Sequence, residues 1–405
     1  MKRFFRSLSV VLSVLGILIF SFIAYADSTV SDSFESVNGE TEIGCTFLSL
    51  EGNSAVKALG FTNSDGEYIA RLMAFDLFPI KEVSVNSVKR RYVGVGGDVF
   101  GIKLYTKGVM AVKIDSLDVT TGEQSPAQLA GIKCGDCITH VDGSVIINAD
   151  DFVSFIRNSG GKELSLTVER DGDTLNLKLT PNPSESGSYR AGLWVRDSSA
   201  GIGTVTFYDT ENKIFAGLGH GVCDVDTGKI MPLSGGEAVR ATVNGFYKST
   251  PGDPGELCGI FSESVLGSLR VNSVTGIFGE LKEKISAKQM PVALETEVHE
   301  GEAQIVVTID GNDAQYYDAQ ITKIYPASGN EERNLIVKIT DKELLAKTGG
   351  ILQGMSGSPI IQNSMLVGAV THVFVNDPTQ GYGIFAQRML ETADEIIGAT
   401  NKEAA

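Results

Sequence analysis

The stretch "GILQGMSGSPIIQ", residues 350 to 362, sets Ser356 between Gly354 and Gly357, just ahead of an apolar run. Glycines there let the backbone turn tightly and bring its N–H groups close to whatever the hydroxyl meets. That is the local geometry of an acyl-transfer nucleophile beside an oxyanion hole. The same residues also suit a plain β-turn leading into Pro359-Ile360-Ile361. A nucleophilic serine needs a base within hydrogen-bond reach and an acid that holds the base in the right tautomer. The chain has four histidines, so each can be weighed. His140 and His299 read as surface residues. His220 in "AGLGHGVCD" follows an apolar strand and stands between two glycines, where a side chain can project from a strand end. His372 in "LVGAVTHVFV" lies on the strand after the serine loop and is the competing base, although such a strand more often lines a substrate groove together with Thr371 and Val373. The wide separation of His220 and Ser356 suits two β-barrels that each contribute one residue to a shared cleft. Cys134-Gly-Asp-Cys137 has the spacing of a redox or zinc pair, but no second CxxC or histidine pair completes a metal site. No metal and no cofactor is expected.

The elements that must hold these residues are mostly short strands. From residue 191 to about 400 the chain is a glycine-punctuated series of strands, "IGTVTFYD", "KIFAGLGHGV", "AQIVVTI", "NLIVKIT" and "SPIIQNSMLVGAVTHVFV" among them, closed by the helix pattern "QRMLETADEIIG". That spacing predicts a barrel or a pair of barrels. Residues 182 to 190, "NPSESGSYR", read as a polar linker. Before it, residues 96 to 181 give two short strands in "FGIKLYTKGVMAVKI", a helix in "NADDFVSFIRNSGG" begun by Asn148 or Asp150, and a hairpin turning at Asp171-Gly172. Residues 27 to 95 are polar and then β-like.

The segment "SPAQLAGIKCGDCITHVDGSVI" resembles a PDZ domain of the bacterial, protease-associated kind, with Ala130-Gly131-Ile132 and Gly135-Asp136-x-Ile138 on the family's signature. Both CxxC cysteines fall at variable positions of that signature. The resemblance implies a peptide bound as an added strand, by its chain end or an internal segment, near Phe100, Gly101, Ile102 and Lys103, against a helix carrying Phe152, Phe155 and Ile156. Further on, "GLGHG", "TGGILQGMSGSPIIQ" and "VGAVTHVFVNDPTQGYGIF" resemble the stage IV sporulation protein B (SpoIVB) serine peptidases of endospore-forming bacteria. That resemblance implies a mainly β fold, a PDZ domain followed by a chymotrypsin-like double β-barrel, with His220 as general base and Ser356 as nucleophile. It places the acid at Asp341, in the "D-x-x-L-L-x-x-T-G-G" segment, although a capping box over Thr340 and Glu343 would read the same residues as a helix N-terminus. Asp224, Asp226, Asp253 and Asp310 are alternatives nearer the middle of the interval. The oxyanion hole is expected at the Gly354 and Ser356 amides.

The address is legible at the N-terminus. Lys2, Arg3 and Arg6 precede an apolar run from Leu8 to Ile23, and Ala24-Tyr25-Ala26 has the form of a signal-peptidase site, so residues 1 to 26 are expected to be a signal peptide or a membrane anchor. A net charge of −16 argues against nucleic acid as a partner. The family resemblance implies an exported endopeptidase acting between mother cell and forespore membranes. Its partner would be a membrane-tethered regulator, cut so that an intramembrane protease can process a sigma-factor precursor, with self-cleavage expected within residues 27 to 95. An inactive PDZ-containing scaffold is the alternative. A quality-control protease of the HtrA kind would carry its protease domain before the PDZ domain, the reverse of the order here. Removal of residues 97 to 181 is expected to alter regulation rather than chemistry.

Overall fold

The computed structural model describes residues 2–30, 32–37, 47–52, 67–115, 125–184, 187–325 and 333–403. The chain divides into two compact units, residues 1–91 with 291–299, and residues 92–290 with 300–405. In the first, the apolar N-terminal run forms the helix Lys2–Thr29, whose Ser9–Ser28 stretch is long and apolar enough to cross a membrane. The helix runs through the Ala24-Tyr25-Ala26 site. Four strands follow in the order Ser33–Val37, Phe78–Val88, Glu67–Ala74, Leu48–Gly52, around Phe34, Leu72 and Val85. The self-processing sites expected in residues 27 to 95 fall partly outside the described residues.

The second unit is built from two six-stranded barrels. The first uses β1 (Val99–Ile114), β2 (Leu193–Asp209), β3 (Ile214–Gly217), β4 (Leu233–Tyr247), β5 (Glu256–Ser273) and β6 (Gly276–Leu281). Around the ring the order is β1-β2-β3-β6-β5-β4, and β4 pairs back onto β1 to close it. The second uses β7 (Gly301–Val307), β8 (Gln315–Ile324), β9 (Leu335–Ile339), β10 (Pro359–Gln362), β11 (Met365–Val373) and β12 (Gln380–Phe385), closed in the order β7-β8-β9-β12-β11-β10. The two rings therefore share one Greek-key order. Alternating apolar residues fill both interiors; Phe100, Ile102 and Leu104 of β1 meet Met231, Leu266 and Ile277 in the first. The C-terminal helix, Ala386–Glu403, packs on β11 and β12 with Met389 and Ala393 buried.

The PDZ domain lies in the connection from β1 to β2. Its sheet runs Asp173–Leu179, Leu164–Arg170, Cys137–Val141, the second half of β1, and the first residues of β2. Its helix, Ala149–Asn158, is capped by Asn148, whose side chain accepts the Asp151 N–H. Phe152 and Ile156 are buried in the domain core and Phe155 is half-buried at its margin. The mainly β fold with a PDZ domain and barrels stands as expected, with one refinement: the first barrel begins before the PDZ domain, at Val99.

That refinement corrects the peptide-binding residues. Phe100, Gly101, Ile102 and Lys103 lie mid-barrel, where β1 pairs with β2 on one side (Ile102 opposite Gly201) and with β4 on the other (Ile102 opposite Ala238). Both edges are hydrogen-bonded, so no peptide can add there. A period-two apolar pattern marks a strand but does not say which sheet owns it.

Candidate active site

Two loops bring the chemistry together. At the end of β3 the chain turns through Leu218 and Gly219, both at positive φ, and presents His220. Its ring Nδ1 sits 2.9 Å from the Gly221 carbonyl, which fixes a proton on Nδ1 and leaves Nε2 as the free base. The His220 ring lies on His372 of β11, with centroids 4.5 Å apart and planes tilted by 35°. Burial holds the His220 pKa below its ordinary value, partly offset by the Gly221 hydrogen bond. Burial pushes His372 down to about 4, helped by the nearby His220 and Arg333. Both rings are thus neutral near pH 7, the state a general base requires.

The second loop follows the helix Lys342–Thr348, which ends on Gly349, and runs to β10. The first barrel holds it in place. Thr204 of β2 donates its N–H to the Ser356 carbonyl (2.9 Å) and its hydroxyl to the Gly354 carbonyl (2.8 Å), and the Thr206 hydroxyl donates to the Gly357 carbonyl (2.8 Å). Gly357 has φ 96°, and a Cβ there would lie 1.9 Å from the Thr204 carbonyl oxygen, so only glycine fits. The amides of Gly354 and Ser356 have no hydrogen-bond partner among the described residues, as donors awaiting an oxyanion would not. The Ser356 hydroxyl donates to the Thr371 carbonyl at 2.6 Å.

His220 and Ser356 line one cleft of about 420 Å³, with Ile202, Ile351, Val373 and Val375 among its apolar walls. Thr371 and His372 border it as well. The structure does not bring Asp341 there. Asp341 is the N-cap of the helix Lys342–Thr348, its side chain accepting the Leu344 N–H at 2.8 Å. Among the alternatives, buried Asp224 and partly exposed Asp226 both pair with Arg196, and Asp253 closes its own turn. No carboxylate hydrogen-bonds His220 among the described residues. Thr204 and Thr206, which hold the nucleophile loop, carried no sequence signal beyond a β-branched strand. Away from the cleft, Cys137 is buried, with its thiol pushed up to about 12, and donates to the Lys107 carbonyl.

A pair of six-stranded barrels of one Greek-key order, with a glycine-flanked serine and a neutral histidine facing across their junction, defines a serine peptidase of the double-barrel class. The family model described as SpoIVB peptidase S55 matches residues 187–390, half of the chain, and a PDZ domain model matches residues 119–170. The chain belongs to the SpoIVB peptidase S55 family. Among curated proteins it is similar to the regulator of sigma-E protease RseP of Salmonella typhimurium, 45% identical over 58 residues, which is 14% of this chain and 13% of that protein. It is also similar to the zinc metalloprotease RasP of Shouchella clausii, 33% identical over 82 residues, 20% of this chain and 19% of that one. The chain thus spans less than a fifth of the length of either relative. Among solved structures it is similar to the Rv3671c protease of M. tuberculosis in its active form, at 14% identity over 48% of this chain and 72% of that one, with a TM-score of 0.27. The PDZ domain of an SdrC-like protein from Listeria monocytogenes matches at 16% identity over 22% of this chain and 87% of that one, TM-score 0.19. Scores this low add nothing to the fold, which rests on strand order.

Proposed function

We propose that the chain is a serine endopeptidase in which Ser356 attacks a peptide carbonyl while His220 Nε2 takes its proton. The Gly221 carbonyl holds the base in its Nδ1–H tautomer, and the Gly354 and Ser356 amides receive the developing oxyanion. The leaving amine takes the proton back from His220, and water then releases the acyl group by the same steps in reverse roles. In the resting arrangement the Ser356 hydroxyl bonds the Thr371 carbonyl, so rotation toward His220 precedes attack. The observation that carries the reading is the convergence on one cleft of His220, Ser356 and two amides that have no partner among the described residues.

In this reading Asp341 is not the acid of a triad. It stiffens the helix that feeds the nucleophile loop. The N-terminal helix anchors the chain outside the cytoplasm, consistent with a helix that continues unbroken through the signal-peptidase site. The protein substrate is a membrane-tethered regulator in intercompartmental sporulation signalling, cut so that an intramembrane protease can act on a sigma-factor precursor, and self-cleavage falls within residues 27 to 95. Family membership supports this setting, as do short matches to proteins named regulator of sigma-E protease.

The Ser356–Thr371 bond also suits the alternative of an inactive peptide-binding scaffold, and one experiment separates the two. Purified wild-type and Ser356→Ala chains are incubated and their masses compared. Trimming in the wild type alone is expected; identical trimming in both would remove Ser356 from the chemistry, and none in either would favour the scaffold.

A further inference from the structure

The PDZ sheet ends on a strand that the peptidase barrel owns. The first residues of β2, Leu193 to Arg196, pair with the 110–114 part of β1, and Leu193, Val195 and Phe155 each pack half-buried against the PDZ core. One edge of β2 is bonded to β1 between Leu193 and Thr204, with a break at Asp197, where residues 106–109 of β1 bulge out of the pairing. The opposite edge has no partner strand among the described residues until Val205, where β3 joins it. At its beginning this open edge meets the turn Arg190-Ala191-Gly192. Gly192 has φ 68°, and a Cβ there would lie 2.5 Å from the Ser125 side chain, so the turn tolerates only glycine. At its far end Ser199, Gly201 and Ile202 line the cleft of His220 and Ser356, and Thr204 bonds the nucleophile loop.

We propose that this open edge of β2 is one continuous peptide track joining the PDZ groove to the catalytic cleft, and that the enzyme therefore measures its cut from the free C-terminus of an extended substrate. The proposal rests on the peptidase reading above. A peptide added antiparallel to β2 would place its terminal carboxylate at the 190–192 turn and run, toward its own N-terminus, along Val195, Ser199 and Gly201 to Ser356. The edge spans about ten residues, roughly 33 Å at about 3.3 Å per residue, and the scissile bond falls about that many residues from the chain end. The ligand class is an unstructured polypeptide with a free carboxylate and an aliphatic last residue to meet the half-buried apolar side chains of Leu193, Val195 and Phe155. Asp197, which accepts the Ala149 N–H at 2.9 Å, ties strand to helix across the track and must swing aside or be passed over.

The test uses the full chain and two pools of degenerate-sequence peptides, each about twenty residues or longer so that they exceed the track, identical except that one pool is amidated at the C-terminus. Cut positions are read by mass spectrometry. Cuts clustered about ten residues from the free carboxylate, with the clustering lost on amidation, are expected. Cuts that scatter along both pools alike would overturn the track and leave the peptidase standing. No cut in either pool, from a chain that also fails to trim itself, would overturn the peptidase reading and the track with it.

Discussion

At the scale of single residues, the site divides into what glycine punctuation announces and what it does not. The turns that bring Ser356 and His220 to one cleft were legible because the glycines of each are written beside it. Asp341 carried two readings for an equally local reason: an aspartate opening "DKELLAKT" is also what a helix N-cap requires, and in the structure that cap forms. The two roles predict different mutants. Asp341→Asn keeps a good cap and is expected to keep near-normal activity, whereas Asp341→Ala should lower stability by about 1 kcal/mol, read as a lower unfolding midpoint. A steep loss of activity in Asp341→Asn would restore the triad acid. The histidine pair makes a second prediction. His372 titrates near 4 in the folded chain and near 6.5 when unfolded, so the unfolded state binds the extra proton first. Stability from this group is full above about pH 6.5 and is lost as pH falls toward 4. His372→Gln should flatten that part of a melting-temperature profile. The acid limb of activity should lie below the ordinary histidine range, because His220 is also shifted down.

At the scale of elements, the strands were legible and their partners were not. "FGIKLYTKGVMAVKI" reads as β from its alternation, yet the pairing that gives its first half to the barrel and its second half to the PDZ sheet is set by residues 79 to 105 positions away, Leu193 to Thr204. Strand pairing is non-local, and an amphipathic period carries no address. The same distance hid the role of β2, which grips the nucleophile loop through Thr204 and Thr206. Replacing both hydroxyls, Thr204→Val with Thr206→Val, removes two hydrogen bonds worth about 1 kcal/mol each and keeps the β-branched shape that packs in the strand. The expected result is a folded protein with kcat lowered several-fold or more and KM little changed, because the loop that aims the oxyanion amides is loosened. An unchanged kcat would mean that the second barrel alone fixes the loop.

For the peptidase unit as a whole, the insertion of the PDZ domain between β1 and β2 decides how the two activities can be separated. Deleting residues 97 to 181, which the linear order of domains invites, would remove β1 and with it the strand that β2 and β4 both bond. The first barrel would lose Phe100, Ile102 and Leu104 from its core, and no folded peptidase is expected from that deletion. The register offers a better cut. Tyr105 stands opposite Ser198, so β1 and β2 can be rejoined there as a hairpin by replacing residues 106 to 197 with an Asn-Gly turn, whose type I′ geometry matches the strand twist. That chain should keep both barrels, as judged by a single cooperative unfolding transition, and should still cleave short peptides that reach only the cleft. It should also lose any dependence on the substrate's C-terminal carboxylate, since the turn at Gly192 and the helix Ala149–Asn158 are gone. If the rejoined chain folds but cleaves nothing, the PDZ domain supplies part of the catalytic geometry itself. The strand it shares with the barrel is then a working part of the site as well as its tether.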